Sequence, residues 1–255
     1  MLQRPFLERC LQVESAQISL LGDRGDNQDR VGITQSGQAT LVVVLDGMGG
    51  HSDGSRAAAV ALKSIIESFT KQVSPLLDPL GFIHLALGRA HDEVVRLGRD
   101  KPIEVRPRAT AVICLVQEGM AYWAHVGDSR IYHLRQEAVL ERSRDHSHVE
   151  LLLREGKITE ADIASHPMRN FVECCLGGDA AIPEMSVAGS KRMQSGDMLL
   201  LCSDGIWANL KDDDIAGFAR GHSQLQTALE QLGARAVQAS APYSDNSTAA
   251  VLRWL

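Results

Sequence analysis

The chain has 255 residues, of which 44% are hydrophobic and 23% charged. This length and apolar content suffice to bury a sizeable core, which excludes the disordered and fibrous classes of protein. Lysine and arginine number 26 against 32 aspartate and glutamate residues, a formal net charge of −6. Because the sequence has no basic block that could follow a phosphate backbone, we expect no nucleic-acid partner.

The first half of the chain predicts two strands followed by two long helices. Gln17 to Leu21 alternates apolar and polar residues, and Leu41 to Leu45 is an unbroken apolar run typical of a strand buried on both faces. Ser55 to Lys71 and Leu76 to Leu97 then carry apolar residues at helical spacing. The apolar runs are far shorter than the roughly 20 residues of a membrane-spanning helix, so we expect no membrane partner.

The second half predicts a hairpin, short helices and a return to strands. Thr110 to Gln117 and Met120 to Val126 flank Glu118-Gly119 as the two arms of a hairpin. The later elements are a helix over Ser147 to Glu155, a helix opened by Thr159 with Asp162 as its capping partner, a strand over Asp197 to Cys202, a helix over Ser223 to Ala239 and a strand over Thr248 to Trp254. This order indicates an α+β fold with helices packed on antiparallel sheets. No linker or repeat divides the sequence, so we predict a single domain over residues 1–255.

Four aspartates lie at the ends of predicted strands. Asp46, Asp128 and Asp204 each follow an apolar run, and Asp245 precedes the last strand. Because an antiparallel strand begins where its neighbour ends, all four can converge on one rim of a sheet. Converging carboxylates repel one another unless cations neutralise them, and oxygen-only ligand sets suit Mg²⁺ or Mn²⁺. The pattern therefore suggests a divalent-metal site.

Asp-Gly is also a strong turn dipeptide, and it occurs at Asp46, Asp53 and Asp204. Taken singly, each pair is better explained as a turn, and we interpret Asp53-Gly54 as a turn that only opens a helix. Turns alone do not explain the run from Asp46 to His51, in which three glycines and a histidine separate a buried strand from a long helix. A loop with so few side chains allows close backbone approach, including a carbonyl ligand.

Seven short motifs span nearly the whole sequence. They are Arg24-Gly25-Asp26-Asn27-Gln28-Asp29, Asp46-Gly47-Met48-Gly49-Gly50-His51, Ala109-Thr110-Ala111, Val126-Gly127-Asp128-Ser129-Arg130, Asp145-His146-Ser147, Ser203-Asp204-Gly205 and Asp245-Asn246. Their joint order and spacing resemble the bacterial members of the metal-dependent protein phosphatase 2C (PPM) family. The resemblance implies a central antiparallel β-sandwich flanked on both faces by pairs of helices, in α-β-β-α layers. It also matches residues 156–170 to a flap segment beside the active site.

The resemblance implies a set of metal ligands. Asp46 is expected to bridge two Mn²⁺ or Mg²⁺ ions, with Asp204 and Asp245 completing the first site and the Gly47 carbonyl serving the second. Asp128 matches a position that, together with the equivalent of Asp204, holds a third and weaker ion in bacterial members. Two ions, and in such members three, are therefore expected as cofactors.

The resemblance also implies roles in the reaction itself. Asp29 matches an acid that orients water at the metals, and Arg24 matches an arginine that grips the substrate phosphate through two oxygens at once. His51 is the candidate general acid for the leaving alkoxide, with a helix-start or outer-layer role as an equal alternative. Gln28 stands where many members have glutamate, which predicts weaker binding of the second metal and a demand for high Mn²⁺.

The implied activity is hydrolysis of phosphoserine and phosphothreonine in proteins by a water that bridges two divalent ions. Such hydrolysis is extremely slow without a catalyst, and paired metals activate water and offset phosphoryl charge. The expected partners are phosphorylated proteins and a cognate bacterial Ser/Thr kinase. Two alternatives stay open: a catalytically weak signalling scaffold, and a phosphatase of small phosphate esters. Without an apolar signal-peptide core near the N-terminus, a cytoplasmic location is predicted.

Overall fold

The computed structural model of the chain describes residues 13–49, 52–163, 165–220 and 223–255. The strands are β1 (Val13–Leu20), β2 (Arg30–Ser36), β3 (Ala39–Leu45), β4 (Gly47–Met48), β5 (Arg108–Ala109), β6 (Ala111–Gln117), β7 (Met120–Val126), β8 (Arg130–Arg135), β9 (Ala138–Arg142), β10 (Leu176–Gly177), β11 (Ser186–Arg192), β12 (Met198–Cys202) and β13 (Ser247–Trp254). The helices are α1 (Ser52–Thr70), α2 (Pro79–Leu97), α3 (His148–Arg154), α4 (Glu160–Ile163), α5 (Asp204–Trp207), α6 (Asp212–Ala216) and α7 (Leu225–Ser240).

The long strands form two antiparallel sheets. Sheet I has the strand order β1-β13-β12-β8-β9, and sheet II has the order β11-β7-β6-β3-β2. A small third sheet, β10-β5-β4, continues from the end of β3. Because β7 lies in sheet II and the next strand β8 lies in sheet I, the chain crosses between the two sheets at the β7–β8 connection.

Strand β3 shows why the core has three layers. Its residues Leu41 and Val43 pack against the helix layer of α1 and α2, where Ile65 is fully buried. The residue between them, Val42, faces sheet I and shares a cluster with Leu201 of β12. A strand buried on both faces reads as a continuous apolar run because side chains alternate between its two faces.

Helices cover the outer face of each sheet. On sheet I, Leu229 and Leu232 of α7 pack with Ile18 of β1 and Leu200 of β12, and Ile206 of the short helix α5 joins the same cluster. Sheet II is covered by α1 and α2. The predicted α+β fold, an antiparallel sandwich between helical layers, is confirmed.

The predicted hairpin is also confirmed, with its turn at the expected place. Strand β6 pairs with β7 from Ala111 opposite Val126 to Gln117 opposite Met120. The turn residues Glu118 and Gly119 have φ angles of 51° and 73°, the left-handed conformation of a tight hairpin turn.

Helix α2 begins three residues later than predicted. The predicted helix starts at Leu76, whereas α2 starts at Pro79. The side chain of Asp78 accepts a hydrogen bond from the Gly81 amide (2.9 Å), so Asp78 is the cap and Pro79 occupies the first helical position. The sequence contains both boundary signals, Asp78 and Pro79, but the apolar periodicity continues N-terminal of them to Leu76 and placed the predicted start too early.

Strands β2, β8, β9 and β11 were not predicted. Strands β2 and β11 form the two edges of sheet II and are only partly buried along their length, so neither has a clean alternation of apolar and polar residues. Helices α5 and α6 have four and five residues, too few to show a helical period. The single domain over residues 1–255 and the flap at 156–170 stay predictions. None of the helices in the described part of the chain is long and apolar enough to cross a membrane.

Candidate metal centre

A cleft of about 660 Å³ opens at one end of the sandwich. Five aspartates line it: Asp26, in the loop before β2, and the four at strand ends, Asp46, Asp128, Asp204 and Asp245. Two of the four come from sheet II, where β3 and β7 end, and two from sheet I, where β12 ends and β13 begins. The structure therefore brings together the four carboxylates that the strand-end pattern singles out.

The register of the sheets explains this meeting. In sheet I, Cys202 at the end of β12 lies opposite Ala249 near the start of β13. In sheet II, Val126 at the end of β7 lies opposite Ala111 at the start of β6, whose other neighbour is the end of β3. Each antiparallel pair thus delivers a strand end and a strand beginning to the same edge.

Burial and mutual repulsion raise the pKa values of these carboxyls. Burial raises the pKa of Asp46 well above its ordinary 3.8, and the negative charges of Asp29, Asp204, Asp128 and Asp245 raise it further. Burial also raises the pKa of Asp204 to about 6, with the charge of Asp245 adding to the effect. The pKa of Asp128 is raised well above its ordinary value by the same causes. Asp46 and Asp204 keep some solvent contact through the cleft, yet they lie deep enough that desolvation dominates.

Asp29 lies behind the cleft rather than on its wall. It is 2% exposed, and its Oδ2 accepts a hydrogen bond from the Ser203 hydroxyl (2.7 Å). Its Oδ1 is buried without a hydrogen-bond partner. Burial raises the pKa of Asp29 to about 7. A buried, unpartnered carboxylate oxygen is costly, and a cation or a polarised water is the kind of group that satisfies it.

Asp245 already has hydrogen-bond partners in the cleft. Within the described ranges, no three acidic, histidine or cysteine side chains already surround one point closely enough to hold an ion. Asp245 instead accepts hydrogen bonds from Arg24 (2.6 Å) and from the backbone amide of Asn246 (2.8 Å). To bind a cation, Asp245 has to exchange one of these hydrogen bonds for the ion. The donor set, oxygen atoms with an unpartnered carboxylate oxygen among them, fits a hard divalent cation such as Mg²⁺ or Mn²⁺.

Gly47 lines the cleft in close contact with helix α1. A Cβ at Gly47 would lie 2.1 Å from the Gly54 carbonyl oxygen, and a Cβ at Gly54 would lie 2.3 Å from Oε1 of Gln28. Both glycines are therefore required for the approach of α1 to the Asp46 loop. The interpretation of Asp53-Gly54 as a turn was wrong, because both residues lie in the first helical turn of α1, where the packing against Gly47 selects glycine.

Of Arg24 and His51, which both have an expected role in the reaction, the structure describes only Arg24. Arg24 lies at the mouth of the cleft with its side chain 57% exposed and ion-paired to Asp245. Its guanidinium is therefore accessible to a ligand that enters the cleft. His51 lies outside the described residues, and its role as general acid stays a prediction. Asn170, the last residue of the predicted flap, and Val172, two positions beyond it, also line the cleft.

The sequence assigned no role to Asn246, which the structure places at the junction of the site loops. Its Oδ1 accepts a hydrogen bond from the Gln28 amide (2.8 Å). Its Nδ2 donates to the carbonyl oxygens of Leu21 (2.9 Å) and Asp26 (3.0 Å). These bonds enclose the loop that carries Arg24 and tie it to the start of β13. An asparagine between a functional aspartate and a strand is the only sequence signal for this role.

Asn246→Asp is expected to lower both stability and activity. Aspartate keeps the shape but replaces the amide donors with oxygens that face the carbonyls of Leu21 and Asp26. An unsatisfied buried polar group costs about 1–3 kcal/mol. We expect the free energy of unfolding to fall by about that amount in urea, and kcat/KM to fall at least about tenfold as the Arg24 loop loosens.

The matched control is Asn209→Asp, which makes the same charge change at an exposed position. It should change the free energy of unfolding by less than about 0.5 kcal/mol. If Asn246→Asp behaved like Asn209→Asp, the amide donors would not hold the loop.

Comparison with known proteins agrees with this geometry. The family model described as protein phosphatase 2C matches residues 23–241, most of the chain. The chain belongs to the protein phosphatase 2C family. The family resemblance read from the motifs is therefore confirmed, and the enzyme is a protein phosphatase. The matched region contains Asp46, Asp128 and Asp204, and Asp245 lies just beyond its end.

Sequence and structural relatives support the same class. The protein phosphatase PhpP of Streptococcus pneumoniae is 29% identical over 224 residues, covering 85% of this chain and 89% of PhpP. The solved serine/threonine phosphatase of S. agalactiae superposes with a TM-score of 0.87 at 26% identity, covering 95% of this chain and 100% of that one. The catalytic domain of the serine/threonine phosphatase PstP, solved with two manganese ions, shares the fold with a TM-score of 0.77 at 24% identity over 94% of this chain and 97% of that one.

Proposed function

We propose that this phosphatase hydrolyses phosphoserine and phosphothreonine in proteins with the help of Mn²⁺ or Mg²⁺, and that it reverses a bacterial Ser/Thr kinase in the cytoplasm. The observation that carries the proposal is the meeting of Asp46, Asp128, Asp204 and Asp245 in one cleft, at the positions of the family's motifs. The serine/threonine phosphatases among the relatives support this class of substrate.

The proposed ligand roles follow the motif positions. Asp46 would bridge two ions, with Asp204 and Asp245 at the first and the Gly47 carbonyl at the second. Asp128 would share a third, weaker ion with Asp204. When bound, divalent ions lower the pKa of water and offset the charge of the phosphoryl oxygens.

The remaining residues act on the substrate and on water. Arg24 would exchange Asp245 for the phosphate, because a guanidinium bonds two phosphoryl oxygens at once and the Arg24 side chain is 57% exposed at the cleft mouth. Asp29, held at Oδ2 by Ser203, would orient a water through Oδ1, which has no hydrogen-bond partner. Asn246 keeps the Arg24 loop in register with Asp245.

Hydrolysis of a phosphothreonine peptide by the purified chain tests the proposal. We expect phosphate release with millimolar Mn²⁺, none in excess EDTA, and loss of activity in Asp46→Ala and Asp204→Ala. Asp92→Ala, an exposed aspartate on α2, is the matched control and should retain activity. Full activity in EDTA would remove the metal mechanism.

Two further measurements separate the alternatives. Calorimetry that detects no Mn²⁺ binding would favour a signalling scaffold over an enzyme. A kcat/KM for a small aryl phosphate that exceeds the value for the phosphopeptide would favour small phosphate esters as substrates. The presence of all four strand-end aspartates in the cleft supports catalysis over the scaffold.

A further inference from the structure

We propose that Trp207 is a positioning residue that sets the distance between Asp128 and Asp204 and thereby the affinity of the cation site that these two carboxylates share. The inference rests on the proposed function. The indole Nε1 of Trp207 donates a hydrogen bond to the backbone carbonyl of Asp128 (3.0 Å). The two residues are 79 positions apart in sequence, so this bond joins separate parts of the site.

Trp207 and Asp204 lie at opposite ends of one short helix. Helix α5 runs from Asp204 to Trp207 and directly follows β12 of sheet I. The amide of Ala208 donates to the Asp204 carbonyl (2.9 Å), which closes the helical turn. The helical turn fixes the backbone of Trp207 relative to that of Asp204. The hydrogen bond from Trp207 therefore ties the backbone of Asp128, in the β7–β8 connection, to the helix that carries Asp204.

The ring of Trp207 is itself held in place. The guanidinium carbon of Arg130 lies 3.3 Å from the centre of the Trp207 ring. Arg130 also makes two hydrogen bonds to the Asp145 carboxylate, at 2.8 and 2.7 Å. The side chains of Arg130 and Asp145 are only 14% and 8% exposed. A stacked cation in a bidentate ion pair fixes the plane of the ring, and with it the direction of the indole N–H.

The residue before Asp128 is anchored from the opposite side. The Gly127 amide donates to Nδ1 of His146 (3.3 Å), and its carbonyl accepts from the His146 amide (2.9 Å). Gly127 has a φ of 97°, and a Cβ there would lie 2.7 Å from the Thr110 side chain. With Gly127 fixed by His146, the Trp207 bond fixes the next peptide, so the Asp128 side chain leaves the backbone at a defined place beside Asp204.

Loss of this bond should weaken cation binding without unfolding the site. Partners that orient a metal ligand are typically worth about 10–100-fold in metal affinity. Trp207→Phe keeps an aromatic face beneath Arg130 and removes the N–H. We expect the weakest Mn²⁺ site seen by calorimetry to weaken about tenfold, and the Mn²⁺ concentration for half-maximal activity to rise by the same factor.

Two comparisons make the calorimetry specific. In an Asp128→Ala background, Trp207→Phe should produce no further change in Mn²⁺ binding, because its target ligand is gone. Trp123→Phe, a buried tryptophan between the sheets, should leave Mn²⁺ binding unchanged. Equal Mn²⁺ affinity in wild type and Trp207→Phe would overturn this inference alone. No Mn²⁺ binding by wild type would overturn the proposed function and this inference together.

Nuclear magnetic resonance of the wild type provides a measurement that needs no stable Trp207 variant. The chain has three tryptophans, so Trp123→Phe and Trp254→Phe assign the Trp207 indole ¹⁵N–¹H resonance by elimination. We expect this resonance to shift in the range of Mg²⁺ concentrations that fills the weakest site, and to stop shifting in Asp128→Ala. If the chemical shift of this resonance did not change with Mg²⁺, or still changed in Asp128→Ala, the inference would be overturned.

Discussion

Asp46→Asn is expected to abolish Mn²⁺-dependent phosphatase activity while raising the melting temperature of the chain in EDTA. Asparagine is nearly isosteric with aspartate and carries no charge. It leaves two hydrogen bonds of the residue-46 backbone in place: its carbonyl accepts from the Thr110 amide (2.8 Å), and its amide donates to the Thr110 hydroxyl (3.2 Å). In the wild type, burial and four neighbouring carboxylates hold the pKa of Asp46 far above 3.8, so its ionised form is unfavourable in the fold. The substitution removes that repulsion.

The two effects have opposite signs because the same charge is unfavourable for the fold and needed for the reaction. Each kcal/mol of relieved repulsion should raise the melting temperature by about 2–4 °C in a chain of this size. Loss of metal-borne charge stabilisation of several kcal/mol should lower kcat/KM by about 10³-fold or more.

Melting curves in EDTA and in excess Mn²⁺, with phosphopeptide kinetics on the same samples, measure both effects. Asp92→Asn makes the same chemical change at an exposed site on α2 and should alter neither quantity. We also expect Mn²⁺ to raise the melting temperature of the wild type and not that of Asp46→Asn, since a ligand stabilises only a fold that binds it. A destabilised Asp46→Asn in EDTA would show that Asp46 is a favourable charge in the fold.

The layers of the fold were predictable because a strand such as β3, which is buried on both faces, appears in the sequence as a continuous apolar run. Strand β3 is apolar at almost every position because α1 and α2 cover one face and sheet I covers the other. The edge strands β2 and β11 carry no such signal, since both are only partly buried along their length. In addition, β11 pairs with β7, which lies far earlier in the chain. A strand that is buried on both faces is recognisable from its apolar composition, and a partly buried edge strand is not.

The same contrast divides the site. Asp46, Asp128, Asp204 and Asp245 were identified because their place at strand ends is a local feature that the antiparallel rule converts into proximity. The bonds of Asn246 to Gln28 and of Trp207 to Asp128 span 218 and 79 residues, and no local pattern specifies them. Sequence thus located the charged groups, and the structure was needed to show which uncharged side chains hold them in position.

The free energy of unfolding in EDTA is expected to rise as the pH is lowered from about 8.5 to 6.5. Burial raises the pKa of Asp29 to about 7, and those of Asp46 and Asp128 are raised well above 3.8, the ordinary value that an unfolded chain restores. In this range the folded chain therefore binds more protons than the unfolded chain. Each extra proton changes the free energy of unfolding by about 1.4 kcal/mol per pH unit, in favour of the fold at the lower pH.

Two histidines limit this window. Burial lowers the pKa of His125 to about 4 and lowers that of His146 from its ordinary 6.5. Below pH 6.5 the unfolded chain protonates these rings while the folded chain resists, so they oppose the carboxylates. We expect stability in EDTA to rise less steeply below this pH, because the two rings offset only part of the protons that Asp29, Asp46, Asp128 and Asp204 hold in the fold.

Excess Mn²⁺ should reverse the slope between pH 8.5 and 6.5. A cation binds the ionised carboxylates, so acidification competes with it, and stability should fall as the pH is lowered. Urea unfolding across this range, with EDTA or with Mn²⁺, gives both slopes. Asp46→Asn should flatten the two curves, because it removes the carboxyl that burial and its neighbours perturb together. A wild-type curve in EDTA that is flat or falls on acidification would mean that these carboxylates are ionised and well solvated in the fold, and the electrostatic case for cations in the cleft would fail.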